Sequence, residues 1–172
     1  MRIVQASLRD TLLRLAEKRL FLPRWSDDII AEVTRTLENK LGKTREKTDH
    51  LVEELKKSFG DAWVEGYTPL IASLANDMKD RHVLAAAVKC GAEVIVTFNL
   101  KHFPDEALAE LNVEAIHPDD FVIDLFFLNP QLVVHTLHEQ AATINWTLEK
   151  VLKALELAVP KFVRLISETL RS

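Results

Sequence analysis

Two aspartates, Asp77 and Asp80, lie three residues apart, immediately before a predicted helix. Paired carboxylates can bind a hard divalent cation, because such cations prefer oxygen ligands. Aspartates in this position can also cap the helix by accepting hydrogen bonds from its first backbone N–H groups. The spacing alone favours the capping role, so a functional role for this pair needs support from other parts of the chain.

Two further places carry side chains that are suited to chemistry. Glu32 lies at the boundary of the apolar stripe of a predicted helix, which is an ordinary position for an acid. Thr97 and Asn99 lie at and just beyond the end of a β-branched run that predicts a strand. Ligands of open α/β sheets bind beyond the carboxyl ends of the strands, so these polar groups belong either to a site or to a plain loop.

Hydrophobic periodicity predicts the elements that must position these residues. Helices are predicted over residues 7–18, 27–40, 43–58, 80–90, 105–110, 131–144, 147–157 and 160–170, with a further helix after Pro118. Strands are predicted at residues 94–97 and 113–116, and one brief strand with a turn is predicted between residues 62 and 74. The run at residues 94–97 has no polar face, which predicts a buried parallel strand.

The order of these elements predicts an α/β fold, with a parallel sheet between helices. Strands are predicted only up to about Asn129, and the three segments that follow each carry an apolar face at helical spacing. They predict a helical C-terminal extension that is too small to fold alone. We therefore expect the extension to pack on the main domain or on a partner.

Three segments in this order resemble the PIN-domain family. The first is the helix that contains Glu32, the second is DRHVLAAA at residues 80–87, and the third is GAEVIVTFNLKHFP at residues 91–104. The resemblance covers residues 7 to about 120, and the last two segments are its specific part. The branch that it indicates is that of the VapC-type toxin homologues, which end in a helical extension.

The resemblance implies a three-layer PIN-like domain over residues 1–120, with a parallel sheet flanked by helices, and a helical extension over residues 121–172. It also implies an endoribonuclease that depends on Mg²⁺ or Mn²⁺. The targets of such toxins are structured RNAs, often transfer RNA, and a cognate antitoxin protein blocks the site. PIN toxins are commonly homodimers, so we expect a homodimer as well.

The resemblance also implies roles for individual residues. Glu32 matches the second acid of the family, Asp80 its third, and Asp77 an auxiliary acid, so these three are the predicted catalytic and metal-binding residues. Asn99 falls where many members carry an aspartate, and we predict it as a further metal ligand. Three polar side chains are the predicted substrate-binding residues: Thr97, Asn99 and Arg81.

The chain departs from the family pattern at two positions. Family members open with a strand that ends in an aspartate, whereas residues 2–8 of this chain contain no acid. Either about one strand is missing, or the true start lies upstream, or the first residues form a stub of that strand. Asp10 is a poor replacement, since it lies inside the first predicted helix. Asn99 offers a neutral amide where a carboxylate often stands, so the site holds less negative charge for a cation.

These departures leave three hypotheses open. The first is an active endoribonuclease that depends on a divalent metal. The second is a catalytically degenerate PIN module that binds RNA or a partner protein without cutting, with the C-terminal helices as the interaction surface. The third is a structural domain in which the acids are helix caps only.

Histidines and tryptophans receive plainer interpretations. His82 and His102 are interpreted as surface groups rather than as phosphate contacts. Trp25, Trp63 and Trp146 are interpreted as packing residues rather than as platforms for base stacking.

Composition excludes several classes of protein. The chain has 172 residues, a formal net charge of 22 − 26 = −4 and 48% hydrophobic residues, which is typical of a globular protein. One cysteine cannot form an internal disulfide, and no apolar run is long enough for a membrane span, so we expect a cytoplasmic protein. The acidic balance offers no general attraction for nucleic acid, so RNA binding needs a local basic patch or bound cations.

Overall fold

The computed structural model describes residues 6–171, and within this range the chain forms nine α-helices and two short strands. The helices are α1 (Ala6–Glu17), α2 (Asp27–Leu41), α3 (Arg45–Ser58), α4 (Arg81–Cys90), α5 (Asp105–Leu108), α6 (Pro118–Leu128), α7 (Pro130–Thr143), α8 (Leu148–Leu155) and α9 (Pro160–Thr169). The strands β1 (Val94–Val96) and β2 (Glu114–Ile116) are neighbours in one parallel sheet. The prediction of an α/β fold with a parallel sheet and a helical C-terminal extension is confirmed. The predicted stub of a first strand lies outside the described residues.

Capping residues delimit α2 and α4. Ser26 Oγ accepts a hydrogen bond from the N–H of Ile29, which caps the start of α2. Gly42 and Gly91 follow α2 and α4 with φ angles of 60° and 66°, in the left-handed region that glycine adopts without a steric penalty. These caps delimit α2, which carries Glu32, and α4, which begins directly after Asp80.

The chain divides into two compact units, of which the first is Pro23–Ala115. In this unit α4 packs against β1 and against the 3₁₀ helix Thr68–Ser73, which precedes α4 in the chain. The core of the unit consists of buried apolar side chains: Val64, Tyr67, Leu74, Leu84, Ala85, Ala86, Ala87, Ile95, Phe103, Leu108 and Val113. The division into functional domains at residue 120 stays a prediction.

The prediction that β1 is fully buried is wrong. Ile95 is 6% exposed, whereas Val94 and Val96 are 37% and 36% exposed. Successive residues of a strand point to opposite faces of the sheet, so only the face with Ile95 is packed into the core. An apolar run of three residues does not distinguish a strand buried on both faces from one buried on a single face.

The segment between residues 62 and 74 forms turns instead of the predicted brief strand. Pro69 lies in the first turn of a six-residue 3₁₀ helix, and Gly66 has a φ angle of 70°. Proline cannot donate a hydrogen bond to a strand ladder, which opposes a regular strand here. One parallel bridge joins Trp25 to Trp63. Their rings pack edge to face with centroids 5.4 Å apart, which confirms the packing role predicted for these two tryptophans.

The second unit joins α1 to the C-terminal helices, and covers residues 6–22 and 116–171. In it α1 packs against α7 and α8, and α6 packs against α9. Thr11 Oγ1 donates to Gln140 Oε1 at 2.7 Å, and Gln140 Nε2 donates to the carbonyl of Ser7 at 2.9 Å. Both Thr11 and Gln140 are buried, so this polar pair fixes α1 against α7.

Several apolar side chains of the second unit are exposed: Phe127, Leu128, Ile144, Trp146, Leu157 and Leu170. Trp146 is 44% exposed, so its predicted packing role is met only in part. Of the helices in the described part of the chain, none combines the length and the apolar character that crossing a bilayer requires.

Asp119 is expected to stabilise the start of α9. Its buried carboxylate accepts hydrogen bonds from the backbone N–H groups of Lys161 and Phe162, at 3.0 and 2.9 Å. These N–H groups belong to the first helical turn, where no intrahelical acceptor is available. Removing a buried acceptor costs about 1–3 kcal/mol, so Asp119→Ala should lower the free energy of unfolding, measured by urea denaturation, by about that amount.

Asp120→Ala is the matched control for this prediction. Asp120 is the next residue of α6, and its exposed carboxylate makes an ion pair with Lys161 Nζ at 2.8 Å. Exposed ion pairs contribute little to stability, so the control should unfold close to the wild-type denaturant concentration. Equal losses in the two variants would contradict the capping role of Asp119.

Candidate metal centre

Asp77, Asp80 and His102 bring possible ligand atoms together at the start of α4. One carboxylate oxygen of each aspartate and one ring nitrogen of His102 lie within 4.8 Å of one another. Asp77 is exposed, whereas the side chains of Asp80 and His102 are 14% and 22% exposed. His102 Nδ1 and Asp80 Oδ2 form a hydrogen bond of 2.5 Å. We call these three residues the Asp–His cluster.

Backbone hydrogen bonds hold the two segments of the cluster together. The N–H of Asp77 donates to the carbonyl of His102 at 3.2 Å, and the N–H of Asp80 donates to the carbonyl of Asp77 at 2.9 Å. In the turn after β1, the N–H of Asn99 donates to Thr97 Oγ1 at 3.0 Å, and the N–H of His102 donates to the carbonyl of Asn99 at 2.9 Å. The cluster therefore combines the start of a helix with the loop beyond a strand.

Capping of α4 does not explain Asp80. This residue occupies the N-cap position of α4, but its side chain accepts no capping hydrogen bond from the part of the chain that the structure describes. Its carboxylate is paired with His102 instead. Asp77 Oδ1 accepts a hydrogen bond from the N–H of Lys79 at 3.0 Å, which stabilises the turn before the helix. The hypothesis that these acids are only helix caps is therefore not supported for Asp80.

Glu32 approaches the first turn of α4 from α2, but it is not a member of the Asp–His cluster. Its Oε2 lies 3.8 Å from Nε2 of His82. The His82 side chain is 13% exposed, and its Nε2 has no hydrogen-bond partner among the described residues. The packing of α2 against α4 thus places Glu32 beside the helical turn that follows Asp80. Its role as a metal ligand stays a prediction.

Tyr67 fixes the N-terminal turn of α2, one turn before Glu32. The phenol O–H donates to Asp28 Oδ2 at 2.6 Å. Burial, and then this hydrogen bond to a carboxylate, raise the pKa of Tyr67 above its ordinary value. The phenol therefore keeps its proton, and with it the hydrogen bond to α2, throughout neutral and mildly alkaline pH.

Asn76 precedes the cluster in the chain and is 2% exposed. Neither its Oδ1 nor its Nδ2 has a hydrogen-bond partner within the described residues. Its backbone carbonyl accepts a hydrogen bond from Arg81 Nε at 3.1 Å. A buried amide without partners is costly, and such a group indicates a place where a ligand or a water can bind. The roles predicted for Arg81 and Asn99 stay predictions.

The donor set of the cluster fits a divalent cation. Carboxylate oxygens are the ligands that Mg²⁺ and Mn²⁺ prefer, and a ring nitrogen suits transition metals better than it suits Mg²⁺. Asn76, which precedes Asp77 in the chain, carries a buried amide whose polar atoms have no hydrogen-bond partner among the described residues. The residues that are present therefore suit a metal site of mixed oxygen and nitrogen ligands.

His102 is the residue that sequence analysis missed. The interpretation of His82 and His102 as surface groups is wrong, because their side chains are 13% and 22% exposed and each faces a carboxylate. A signal was available for His102. It lies in the same segment beyond β1 as Thr97 and Asn99, where side chains that bind ligands are expected in α/β sheets.

Comparison with known proteins identifies a family and one relative. Residues 3–101 match the family described as the PIN domain. The chain is 46% identical over 104 residues to the "Putative ribonuclease VapC50" of Mycobacterium tuberculosis. That alignment covers 59% of this chain and 62% of the relative, so the chain spans less than two thirds of the relative's length. No solved structure shows a significant match.

Mn²⁺ is expected to raise the melting temperature of the wild-type chain, because a cation that binds only the folded state stabilises it. Asp77→Asn and Asp80→Asn each remove one negative charge with little change of shape. Both should reduce the increase that Mn²⁺ causes, and Asp80→Asn should reduce it more because Asp80 is the less exposed of the two. Thermal melts with and without Mn²⁺ measure this difference.

Asp10→Asn is the control for these two variants. The carboxylate of Asp10 pairs with Arg14 Nε at 3.0 Å, so it is not available to a cation. We expect the increase in melting temperature to be the same in this variant as in the wild type. A full increase in Asp80→Asn would show that Mn²⁺ binds somewhere other than the Asp–His cluster.

Proposed function

This chain belongs to the PIN-domain family, and we propose that it is a metal-dependent endoribonuclease of the VapC type. The matched range includes all six predicted site residues: Glu32, Asp77, Asp80, Arg81, Thr97 and Asn99. The similarity to a VapC-type relative supports the proposal. The observation that carries it is the Asp–His cluster at the start of α4.

PIN and VapC ribonucleases generally use a divalent metal. In this chain Asp77 and Asp80 would hold it through carboxylate oxygens, with Glu32 and Asn99 as the further ligands that the family pattern implies. Mg²⁺ or Mn²⁺ bound there supplies an activated water and stabilises negative charge on a phosphate. The donor types of the site support both ions.

Three contacts of the chain itself position the acids. His102 orients the carboxylate of Asp80 through the hydrogen bond from its ring. His82 lies opposite Glu32, where it attracts that carboxylate towards α4 when the ring is protonated. The backbone N–H of Lys79 donates a hydrogen bond to Asp77 Oδ1, which fixes this auxiliary acid in its turn. Side chains held in this way lose little freedom when they bind a ligand.

Three basic residues neighbour the Asp–His cluster in the sequence. Lys79 and Lys101 are exposed, and Arg81 is partly exposed and held by the carbonyl of Asn76. All three lie within two residues of a member of the Asp–His cluster. In a chain whose net charge is −4, such a local basic group is what brings a phosphate backbone to the site.

We further propose an RNA substrate, with transfer RNA as the plausible class, and a cognate antitoxin protein that covers the site. The toxin type also supports a homodimer and a cytoplasmic location. These assignments follow from the family and from the VapC-type similarity.

One observation favours a second function, a degenerate PIN module that binds RNA or a partner protein without cutting. Asp10 is the first acid of the chain, and its carboxylate is paired with Arg14. Asp10 therefore does not take the place of the aspartate with which family members open. A site with fewer carboxylates holds a divalent cation less tightly.

Incubation of the purified chain with transfer RNA tests the proposed activity. We expect cleavage with about 5–10 mM Mn²⁺, a range on the order of saturation for weak carboxylate sites, and none with excess EDTA. Glu32→Gln and Asp80→Asn should each slow cleavage by about 100-fold or more, since a positioned cation contributes several kcal/mol to the transition state. Gel analysis of end-labelled RNA measures the rate.

Asp10→Asn and an RNA-binding measurement complete this experiment. Asp10→Asn should cleave RNA at the wild-type rate, because its carboxylate is already paired. Equal decay in every sample, including the one with EDTA, would indicate a contaminating nuclease. RNA that is bound in a gel-shift assay but remains uncut would support the degenerate module and contradict the proposed activity.

A further inference from the structure

We propose that His102 is a nitrogen ligand of the cation, and that it makes the site prefer Mn²⁺ over Mg²⁺. The inference rests on the proposed function, because it assumes a cation at the Asp–His cluster. It goes further in assigning a ligand of another chemical class, and in predicting from that class which ion the site selects.

The first step is the placement of the ring. A ring nitrogen of His102 belongs to the same group of ligand atoms as the carboxylates of Asp77 and Asp80, within 4.8 Å. The ring is mostly shielded from solvent, and the carbonyl of the same residue accepts a hydrogen bond from the N–H of Asp77. His102 is therefore fixed to the acids through both its backbone and its side chain.

The second step is the hydrogen bond between His102 Nδ1 and Asp80 Oδ2. A carboxylate only accepts, so the ring must supply the proton that lies between the two atoms. A cation bound by both groups would replace that proton. Like the proton, it would place positive charge between the Asp80 carboxylate and the lone pair of the ring nitrogen. The pairing thus marks a position that is already suited to positive charge.

The third step is the unpaired amide of Asn76. This side chain is 2% exposed and lacks partners for both of its polar atoms among the described residues. It is next to Asp77 in the chain, so the segment that supplies one acid also supplies a buried oxygen donor without a hydrogen bond. This observation is independent of the Asp–His cluster, and a buried amide without partners is typical of a place where a ligand or a water binds.

The chemistry of the ligands then determines the ion. Mg²⁺ favours oxygen ligands in a nearly ideal octahedron and gives up its waters reluctantly. Imidazole binds first-row transition metals, and affinity for such a site rises from Mn²⁺ to a maximum at Cu²⁺. A mixed set of Asp77, Asp80 and His102 therefore binds Mn²⁺ more tightly than Mg²⁺, whereas a set of oxygen ligands alone would discriminate less.

His102→Asn tests this assignment with little change of shape or charge. Asparagine places an oxygen close to the position of Nδ1 and is neutral, so the ligand changes from nitrogen to oxygen. We expect the affinity for Mn²⁺ to fall about tenfold and the affinity for Mg²⁺ to change less than about threefold. Electron paramagnetic resonance of unbound Mn²⁺, with Mg²⁺ as competitor, measures both affinities.

Spin-echo modulation of bound Mn²⁺ gives a direct signature of the nitrogen. The wild-type chain should show coupling to ¹⁴N, and His102→Asn should lose it. His135→Asn is the control, because His135 is an exposed histidine of α7 that pairs with Glu139, and this variant should keep the coupling. A thermal melt without metal checks that each variant folds, and His102→Gln serves as a second variant if His102→Asn does not.

Each outcome decides a separate point. Coupling to ¹⁴N in the wild type, together with a reduced preference for Mn²⁺ in His102→Asn, supports the inference. If the wild type binds Mn²⁺ without ¹⁴N coupling, or if both ions lose affinity equally, His102 only orients Asp80 and the inference fails. If the wild type binds neither ion, the proposed metal-dependent function fails with it.

Discussion

One backbone hydrogen bond connects the two segments on which the candidate site depends. The N–H of Asp77 donates to the carbonyl of His102, and so ties the turn before α4 to the loop beyond β1. Carboxylates that lie close together repel each other, so a cluster of acids needs a scaffold that keeps them in place. The backbone bond and the pairing of Asp80 with His102 supply that scaffold without using the free carboxylate oxygens of Asp77 and Asp80.

The sequence predicted what depends on neighbouring residues and missed what depends on distant ones. The helices follow from periodicity and caps, because Ser26 and Gly42 act within one turn of the helix that they delimit. Asp77 and Asp80 were noticed because they lie three residues apart, and the resemblance to the PIN-domain family then implied their roles. The pairing of His102 with Asp80 was missed because the two residues are 22 positions apart, a separation at which sequence carries no periodic signal. The exposed face of β1 was missed for a related reason, since the cover of a sheet face is a property of tertiary packing.

The packing of α1 is a further feature that sequence order did not predict. Sequence order assigns this helix to the PIN-like part of the chain, yet it packs against α7 and α8 in the second unit. The contact between Thr11 and Gln140 joins residues that are 129 positions apart. The C-terminal helices are therefore not an independent appendage, because part of their core comes from the beginning of the chain. A truncation after residue 120 would expose the apolar face of α1 as well as remove the extension.

The chemistry of the proposed third ligand, His102, bears on how tightly the Asp–His cluster can bind a cation. An additional carboxylate would raise the affinity for any divalent cation, but it would also add to the repulsion among the acids when no cation is bound. A neutral imidazole adds a ligand without adding negative charge, so the metal-free site is less strained. The affinity then comes from the preference of the ion for nitrogen, which Mg²⁺ lacks and Mn²⁺ has to a moderate degree. On this argument the choice of ion, more than the number of acids, determines whether the proposed site is occupied.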